Sequence, residues 1–203
     1  IGSFFKTGYF SPKRTIAIAG NVVKEPKYYE TIIGSELKIF LNDAKVENDT
    51  QIRCINGNVL NGKIESINGF IGYFNNLVTI IPEGNDYRMF GWLPFVDNKI
   101  LSLSNTSLSW LFNRNGSEVN SSLNGEERAI VVTGEMENVF PMDIYPMQLI
   151  KACLAFDIEK MEGLGIYEVI PEDFGLIDFS NTSKIEAQEI IREGIELMIK
   201  EVG

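Results

Sequence analysis

Histidine is missing from all 203 residues of this sequence. Imidazole is the usual general base beside a serine or cysteine nucleophile, and it is the commonest metal ligand. Its absence therefore excludes Ser-His, Cys-His and His-metal mechanisms. Any catalysis would have to use carboxylates, lysine, tyrosine or cations held by oxygen ligands.

Cysteine is nearly as scarce. Cys54 and Cys153 lie far apart in the sequence, and neither belongs to a C-x-x-C pair. This spacing excludes a sequence-local zinc or iron–sulfur motif and gives no disulfide framework. Cys153 falls on the apolar face of a predicted helix, so we expect a buried and inert thiol. A reducing, cytoplasmic setting is expected.

Long hydrophobic runs are also lacking. No apolar stretch approaches the roughly 20 residues that a membrane-spanning helix needs. The first residues have neither the basic region nor the cleavage site of a signal peptide. Because the sequence opens at Ile1 inside an apolar pattern, we expect it to be part of a longer protein.

Positive charge is in deficit, with a net charge of −10 and a pI near 4.6. Nucleic acids and anionic membrane surfaces both require clustered Lys and Arg, so neither is an expected partner. Residues 151–203 carry 12 acidic and 5 basic side chains. This excess indicates either solvated acidic helix faces or a surface for a basic partner.

What is present is an ordinary globular composition, 44% hydrophobic and 23% charged. Residues 14–62 alternate strand and helix signals, with strands predicted at 15–20, 28–30 and 51–55. A helix is predicted over 34–41, with Ser35 as its N-cap. Residues 1–13 are expected to be the end of a preceding domain or a linker.

Residues 63–140 have a mostly β pattern, punctuated by Asn-Gly turns. Strands are predicted at 76–81, 88–93 and 129–132. One helix is predicted after Asn105 or Thr106, ending at Gly116.

Residues 141–203 are predicted to be helical. Pro146 sits at a first-turn position, and Asp157 is expected to begin a second short helix that ends at Gly163. The last helix is predicted to start with a capping box over 183–186. Its apolar stripe consists of Ile191, Ile195, Met198 and Val202. The sequence therefore predicts an α+β fold with a helical C-terminal domain.

Three groups of residues suggest chemistry, and each has a structural explanation. The glycine-rich segment 57–62 lacks the Lys and Ser/Thr of a phosphate loop and is typical of tight turns. Glu126 and Glu127 would point to opposite faces of a strand. Glu172 and Asp173 would lie in a helix first turn, where negative charge is favourable.

Aromatic residues could line an apolar pocket for a ligand such as quinone, or could simply form core. The set is Phe90, Trp92, Phe95, Trp110 and Phe112. No catalytic, cofactor-binding or metal-ligating residue is assigned anywhere in the sequence.

Region 14–62, with Ile18–Pro26 followed by a helix from Gly34, is similar to a soluble ligand-binding β-grasp (SLBB) domain. A longer pattern consists of Phe5–Gly8, Ile55–Gly62, Phe90–Trp92, Asn124–Ala129, Pro141–Pro146, Gly163–Gly165 and Glu172–Phe174. In this order, these segments together resemble the family of A subunits of the Na+-translocating NADH:quinone oxidoreductase.

The resemblance implies a β-grasp domain, a β-rich segment and a small helical C-terminal domain. The equivalent tail in the flavoprotein component of complex I carries cysteine ligands for iron–sulfur clusters, which this sequence lacks. Many members of the family have a C-x3-C-P-G-K motif. Here the aligned positions are Ile177, Asn181, Thr182, Ser183 and Lys184.

The resemblance further implies a role in a complex that couples NADH oxidation by quinone to Na+ export. FAD, FMN, riboflavin and iron–sulfur centres are expected on other subunits and no cofactor on this fragment, which is not expected to be catalytic. Its expected partners are the membrane subunits and the C subunit, with quinone as a further ligand. It would sit peripherally on the cytoplasmic side of the bacterial inner membrane.

Three hypotheses remain open at this point. The first is a cofactor-free docking fragment, in which the acidic tail or residues 141–146 contact other subunits. The second is a β-grasp module that binds a small quinone-like ligand. The third is a hydrolase or transferase that works without histidine.

Overall fold

A computed structural model describes residues 2–44, 51–84 and 119–202. The chain divides into two compact units. Unit 1 comprises residues 1–87 and 117–122, and unit 2 comprises residues 88–116 and 123–203. Each unit has its own hydrophobic core among the described residues.

Unit 1 is a mixed sheet with one helix packed on it. Its elements are helix α1 (Gly2–Thr7), strands β1 (Lys13–Ala19) and β2 (Lys27–Ile32), helix α2 (Leu37–Asp43), and strands β3 (Ile52–Asn56), β4 (Lys63–Glu65) and β5 (Leu77–Pro82). The five strands lie in the order β2-β1-β5-β3-β4, with β1 and β5 parallel and the other neighbours antiparallel. This is a β-grasp arrangement. Strands from both 14–62 and 63–140 contribute to it.

The core of unit 1 lies between the sheet and α2. Ile16 and Ile18 of β1 are buried on one face, as the alternation of the strand requires. Leu37, Phe40 and Leu41 cover them from α2. Burial of each large side chain contributes about 1.5–3 kcal/mol before entropy is considered.

Gly20 allows the chain to turn closely after β1. Its φ is +138°, and a Cβ built on it would lie 1.8 Å from the carbonyl oxygen of Ile80 in β5. No other residue fits this position, because a side chain would collide with the neighbouring strand. The chain turns after Gly20 and enters β2 at Lys27.

The strands predicted at 15–20, 28–30, 51–55 and 76–81 are confirmed within one or two residues. The prediction of Ser35 as a helix N-cap was wrong. Helix α2 begins at Leu37, and the Ser35 hydroxyl instead donates to the carbonyl oxygen of Ile32 at 2.7 Å. This residue closes the turn after β2.

The strand predicted at 129–132 was also wrong. These residues are not part of a sheet, and the adjoining Arg128 N–H donates to the carbonyl oxygen of Ser183 at 2.9 Å. Their side chains favour a strand, but no strand of the described residues lies beside them to pair with. The strand predicted at 88–93 and the helix predicted to end at Gly116 lie outside the described residues.

The described residues of unit 2 are mostly helical from Pro146 onward. Its elements are helices α3 (Pro146–Leu154) and α4 (Ile158–Gly163), 3-10 helices at Ile166–Glu168 and Pro171–Phe174, and helices α5 (Gly175–Ser180) and α6 (Ala187–Val202). The predicted starts at Pro146 and Asp157 are confirmed. The α+β class with a helical C-terminal region is thereby confirmed.

Helices α3 and α6 cross closely over the core of unit 2. A Cβ built on Gly194 of α6 would lie 2.6 Å from the Sγ of Cys153 in α3. Phe140 and Phe174 pack in the same core with ring centroids 4.8 Å apart. Glycine suits position 194 because a side chain there would crowd the side chain of Cys153.

The capping box predicted over 183–186 was wrong. Helix α6 begins at Ala187, and its first N–H groups are capped from α5 by Asp178. The Ser183 hydroxyl points elsewhere and donates to the carbonyl oxygen of Ala129 at 3.2 Å. A residue nine positions before Ala187 thus performs the capping that the local motif was expected to perform.

Candidate functional site

The positions aligned with the family's cysteine motif are structural in this chain. Ile177 is fully buried in the core of unit 2, and Asn181 is 1% exposed. The Asn181 amide donates to the carbonyl oxygens of Ile177 (2.8 Å) and Ile185 (3.3 Å) and accepts from the Ile185 N–H (3.1 Å). These bonds satisfy the amide, so it ends α5 and fixes the following loop.

An open groove of about 460 Å³ runs beside that loop. It is lined by Arg128, Ala129, Val131, Thr133, Thr182 and Ser183. The Thr182 hydroxyl donates to the Glu135 carboxylate at 2.9 Å, and the Ser183 hydroxyl donates to the carbonyl oxygen of Ala129. The backbone carbonyl that accepts from Ser183 cannot take up a proton, and the Thr182–Glu135 contact is exposed to solvent.

Lys184 is half-buried next to this groove. Burial lowers the pKa of its amine, and the charge of Glu135 opposes the shift. Its backbone is left-handed, with a φ of +55°. The position serves the turn between α5 and α6, and the side chain packs near Gly125.

The carboxylate pairs do not form an acid–base site. Glu126 and Glu127 are both exposed on an irregular segment. Asp173 accepts a hydrogen bond from the N–H of Ile170 at 3.0 Å and thereby caps the second 3-10 helix, which confirms the helix-start interpretation. Across the described ranges, no three Cys, Asp or Glu residues are grouped closely enough to hold a metal ion.

Both cysteines are buried and free. Burial raises the pKa of Cys153 to about 11, and burial also raises the pKa of Cys54. A thiol needs a cationic or polar surrounding to become a reactive thiolate at neutral pH. The surroundings of both cysteines disfavour the thiolate, and the prediction that Cys153 is buried is confirmed, while its inertness stays a prediction.

The glycine-rich segment 57–62 of unit 1 is a set of tight turns, as predicted. Gly57 has a φ of +109°. The side-chain oxygen of Asn58 accepts from the N–H groups of Leu60 (2.8 Å) and Asn61 (3.0 Å). These amides are therefore occupied internally and do not form a phosphate cradle.

The Pro141–Pro146 segment was predicted to be a docking segment. Its successive side chains point alternately to the core and to solvent. Met142 and Ile144 pack against the core of unit 2, whereas Asp143 and Tyr145 are exposed. The ring of Tyr145 is available to a partner, while the segment itself is anchored. The aromatic residues 90, 92, 95, 110 and 112 lie outside the described residues.

A second open groove, which sequence analysis did not find, lies on unit 2. It has a volume of about 320 Å³ and is lined by Ile166, Tyr167, Val169, Ile195, Ile199 and Val202. Met198 also lines it and is buried. The sequence does contain an indication of this groove. The apolar residues of α6 form a stripe that is wider than one buried helix face requires.

In the described part of the chain, no helix has the length and apolar character required to cross a membrane. Unit 1 and unit 2 also differ in charge. The described residues 123–202 carry 17 acidic and 6 basic side chains, whereas residues 2–44, 51–84 and 119–122 carry 6 acidic and 8 basic ones. The acidity of the described residues is therefore concentrated on the helical unit.

Comparison with known proteins identifies relatives over the whole chain. Residues 15–66 match a family described as the NQRA C-terminal domain. The A subunit of the Na+-translocating NADH-quinone reductase of Neisseria meningitidis serogroup B is 32% identical over 202 residues, which is 99% of this chain and 44% of that protein. The same component of Rhodopirellula baltica is 34% identical over 203 residues, again 99% and 44%.

Marinomonas sp. has a further relative of the same name, 34% identical over 202 residues, 99% of this chain and 45% of that protein. The chain thus spans less than half the length of these relatives. The order of matched segments, the β-grasp sheet and the helical unit all agree with this similarity. The chain belongs to the family of A subunits of Na+-translocating NADH-quinone reductases and corresponds to their C-terminal part.

Proposed function

We propose that this chain is a cofactor-free docking part of the A subunit of a Na+-translocating NADH-quinone reductase. Its relatives carry that name, and the chain spans 44–45% of their length. In this proposal the reductase couples NADH oxidation by quinone to Na+ export, and the chain contributes surfaces that hold subunits together.

The observation that carries the proposal is the surface of unit 2. Its described residues are strongly acidic, and an apolar groove opens on the same unit. Large side chains such as Tyr167 (66% exposed) and Ile199 (65% exposed) remain in solvent there. An apolar patch rimmed by polar groups is typical of a surface for another protein.

The chemistry of the described residues supports a docking role over catalysis. The two thiols are buried with raised pKa values, Glu126 and Glu127 are exposed to solvent, and Asp173 caps a 3-10 helix. We propose that flavins and iron–sulfur centres reside on other subunits. Flavin fluorescence and iron analysis of the purified chain test this, and a stoichiometric flavin or cluster would contradict it.

The experiment for docking removes residues 123–203, which hold the whole described part of unit 2, by ending the A subunit after Ser122. This cut keeps the Ser121 hydroxyl, which donates to Glu83 at 2.8 Å and helps to close unit 1. With a purification tag on another subunit, we expect the truncated protein to be lost from the complex. Retention at the level of the full-length protein would contradict the docking role.

Two controls accompany that experiment. A thermal melt of the truncated protein shows whether unit 1 still unfolds cooperatively, which separates lost docking from general misfolding. An alkaline wash of membranes that hold the complete reductase tests the proposed peripheral position. We expect the wash to release the A subunit while the membrane subunits stay behind.

A further inference from the structure

Helix α6 carries two apolar stripes, and the core uses one of them. Ile191 and Met198 face the core and are buried. Ile195, Ile199 and Val202 follow each other at spacings of four and three, so they share an adjoining face. Ile195 packs partly against the core, whereas Ile199 and Val202 are 65% and 55% exposed and lack a cover from the described residues.

The first 3-10 helix supplies the opposite wall of the groove. Ile166 and Val169 anchor this wall in the core, while Tyr167 stands out with its ring 66% exposed. The Tyr167 hydroxyl donates to the Glu162 carboxylate at 2.7 Å, which fixes the ring at the rim. A fixed aromatic ring beside an apolar trough is a common anchor for an incoming helix.

The rim of the groove is acidic. Glu162 and Glu168 lie on either side of Tyr167 in the sequence, and Glu196 and Glu201 are exposed on the last turns of α6 together with Lys200, so carboxylates outnumber cations there. The nearby cation Arg192 is already ion-paired with Glu189 at 3.1 Å. An occupant that fills the trough will therefore meet carboxylates at its edges.

We propose that this groove binds a basic amphipathic helix of another protein chain in the reductase. The helix would place apolar side chains at i, i+3 or i+4 and i+7 against Ile199, Val202 and Tyr167. Its Lys or Arg residues would meet the rim carboxylates. This inference rests on the proposed docking function and deepens it by naming the surface and the chemistry of the partner.

Charge argues against the other occupants. A second copy of this chain would bring its own acidic unit against an acidic rim, where like charges repel. An anionic lipid surface would be repelled for the same reason. A small neutral ligand such as quinone would fill part of the trough but would bring no cation to the rim carboxylates.

Site-specific photo-crosslinking in the assembled reductase tests the proposal. Ile199 in the groove is replaced by p-benzoylphenylalanine, and in a matched control Leu176 of α5, which is 45% exposed outside the groove, is replaced in the same way. We expect position 199 to crosslink to another chain, within a segment that has helical apolar spacing and net positive charge. Position 176 should give no crosslink to that segment.

Three results would overturn the proposal. They are crosslinks from position 199 to a second copy of this chain, crosslinks to an acidic or uncharged segment, and no crosslink to another chain. The truncation after Ser122 can release the A subunit from the complex while position 199 gives no crosslink to another chain. That pair of results would support the docking function and show that a different surface carries it. If truncation releases nothing, the proposed function itself fails.

Substitution gives an independent measurement. Ile199→Glu removes an apolar anchor and adds repulsion, so we expect retention of the A subunit by the complex to weaken about tenfold or more. Leu176→Glu makes the same change in charge outside the groove and should change retention by less than about twofold. Equal effects of the two variants would contradict a specific role for the groove.

Discussion

Asp178 on α5 caps helix α6 by accepting a hydrogen bond from the N–H of Ala187 at 2.5 Å. The second oxygen of the same carboxylate accepts from the side chain of Gln188 at 2.7 Å. One side chain therefore joins two helices of unit 2 and satisfies the start of its longest described helix.

Replacement of this cap should destabilise unit 2 measurably. We expect Asp178→Ala to lower the free energy of unfolding by about 1–2 kcal/mol, because buried helix N–H groups lose their acceptor. Asp178→Asn retains one acceptor oxygen and should cost less. Urea unfolding followed by circular dichroism measures both, and an unchanged midpoint for Asp178→Ala would contradict the capping role.

The same residue gives a pH dependence with a defined sign. Burial raises the pKa of Asp178 above its ordinary value of 3.8, although the hydrogen bonds it accepts oppose this shift. An acid whose pKa is raised on folding binds its proton more readily in the folded state. The wild type should therefore gain stability relative to Asp178→Asn as pH falls from neutral toward 3.8.

The close crossing of α3 and α6 predicts coupling between two positions. Gly194→Ala should destabilise unit 2 by about 1–3 kcal/mol, because the new Cβ would lie 2.6 Å from the Sγ of Cys153. Cys153→Ala removes that sulfur. In a double-mutant cycle, the double variant should cost less than the sum of the single variants, whereas additive effects would contradict the contact.

The ion pair between Arg53 and Glu83 should make unit 1 sensitive to acid. Hydrogen bonds from Arg53 and then Ser121 lower the pKa of Glu83 below its ordinary value of 4.5. A carboxylate whose pKa falls on folding stabilises the folded state above that value, and the contribution is lost as pH decreases below it.

Glu83→Gln should remove this dependence and cost about 1 kcal/mol at neutral pH, because the pair is partly exposed. Thermal melts between about pH 3 and pH 7 compare the variant with the wild type. Parallel stability curves for the two proteins would show that the pair contributes nothing to the acid response.

Both thiols should resist alkylation until the chain unfolds. Cys153 has a pKa of about 11 because it is buried, so little thiolate exists at neutral pH, and the reagent has no access to the sulfur. Labelling with iodoacetamide, followed by mass spectrometry, should be slow in buffer and fast in urea. Equal rates in the two conditions would show that the helical core opens readily.

Quinone binding separates the docking role from the ligand-binding hypothesis. Trp92 and Trp110 are the two tryptophans of the chain, so their fluorescence reports on residues beyond the described ranges. Under the docking proposal we expect no saturable quenching by a quinone analogue. Saturable quenching, absent with a redox-inert compound of similar size, would support a ligand site instead.

Much of unit 1 could be predicted from local sequence. The alternation of Ile16 and Ile18 indicated a half-buried strand, and Gly20 with the following turn indicated its end. The helix predicted over 34–41 corresponds to α2, although its predicted cap was wrong. The spacing of apolar side chains along a strand or helix follows from its local backbone geometry. Strands and helices can therefore be predicted from short stretches of sequence.

Two of the errors share a cause, which is competition from residues distant in the chain. Ser183 has the residue type and spacing of a helix cap, but its hydroxyl donates a hydrogen bond to the carbonyl oxygen of Ala129. Residues 129–132 have β-forming side chains, but no strand of the described ranges lies beside them to complete a sheet. Both predictions failed because the tertiary structure supplied a different partner.

By itself, the sequence determined the chemistry that this protein lacks and the class of fold it adopts. The absence of histidine and the two isolated cysteines restrict catalysis whatever the fold, because they remove functional groups. Only the tertiary structure decided where Asp178 and Gly194 act and which apolar stripe of α6 remains open. Hydrogen bonds and apolar contacts join residues far apart in the chain, and no local pattern records which partners they find.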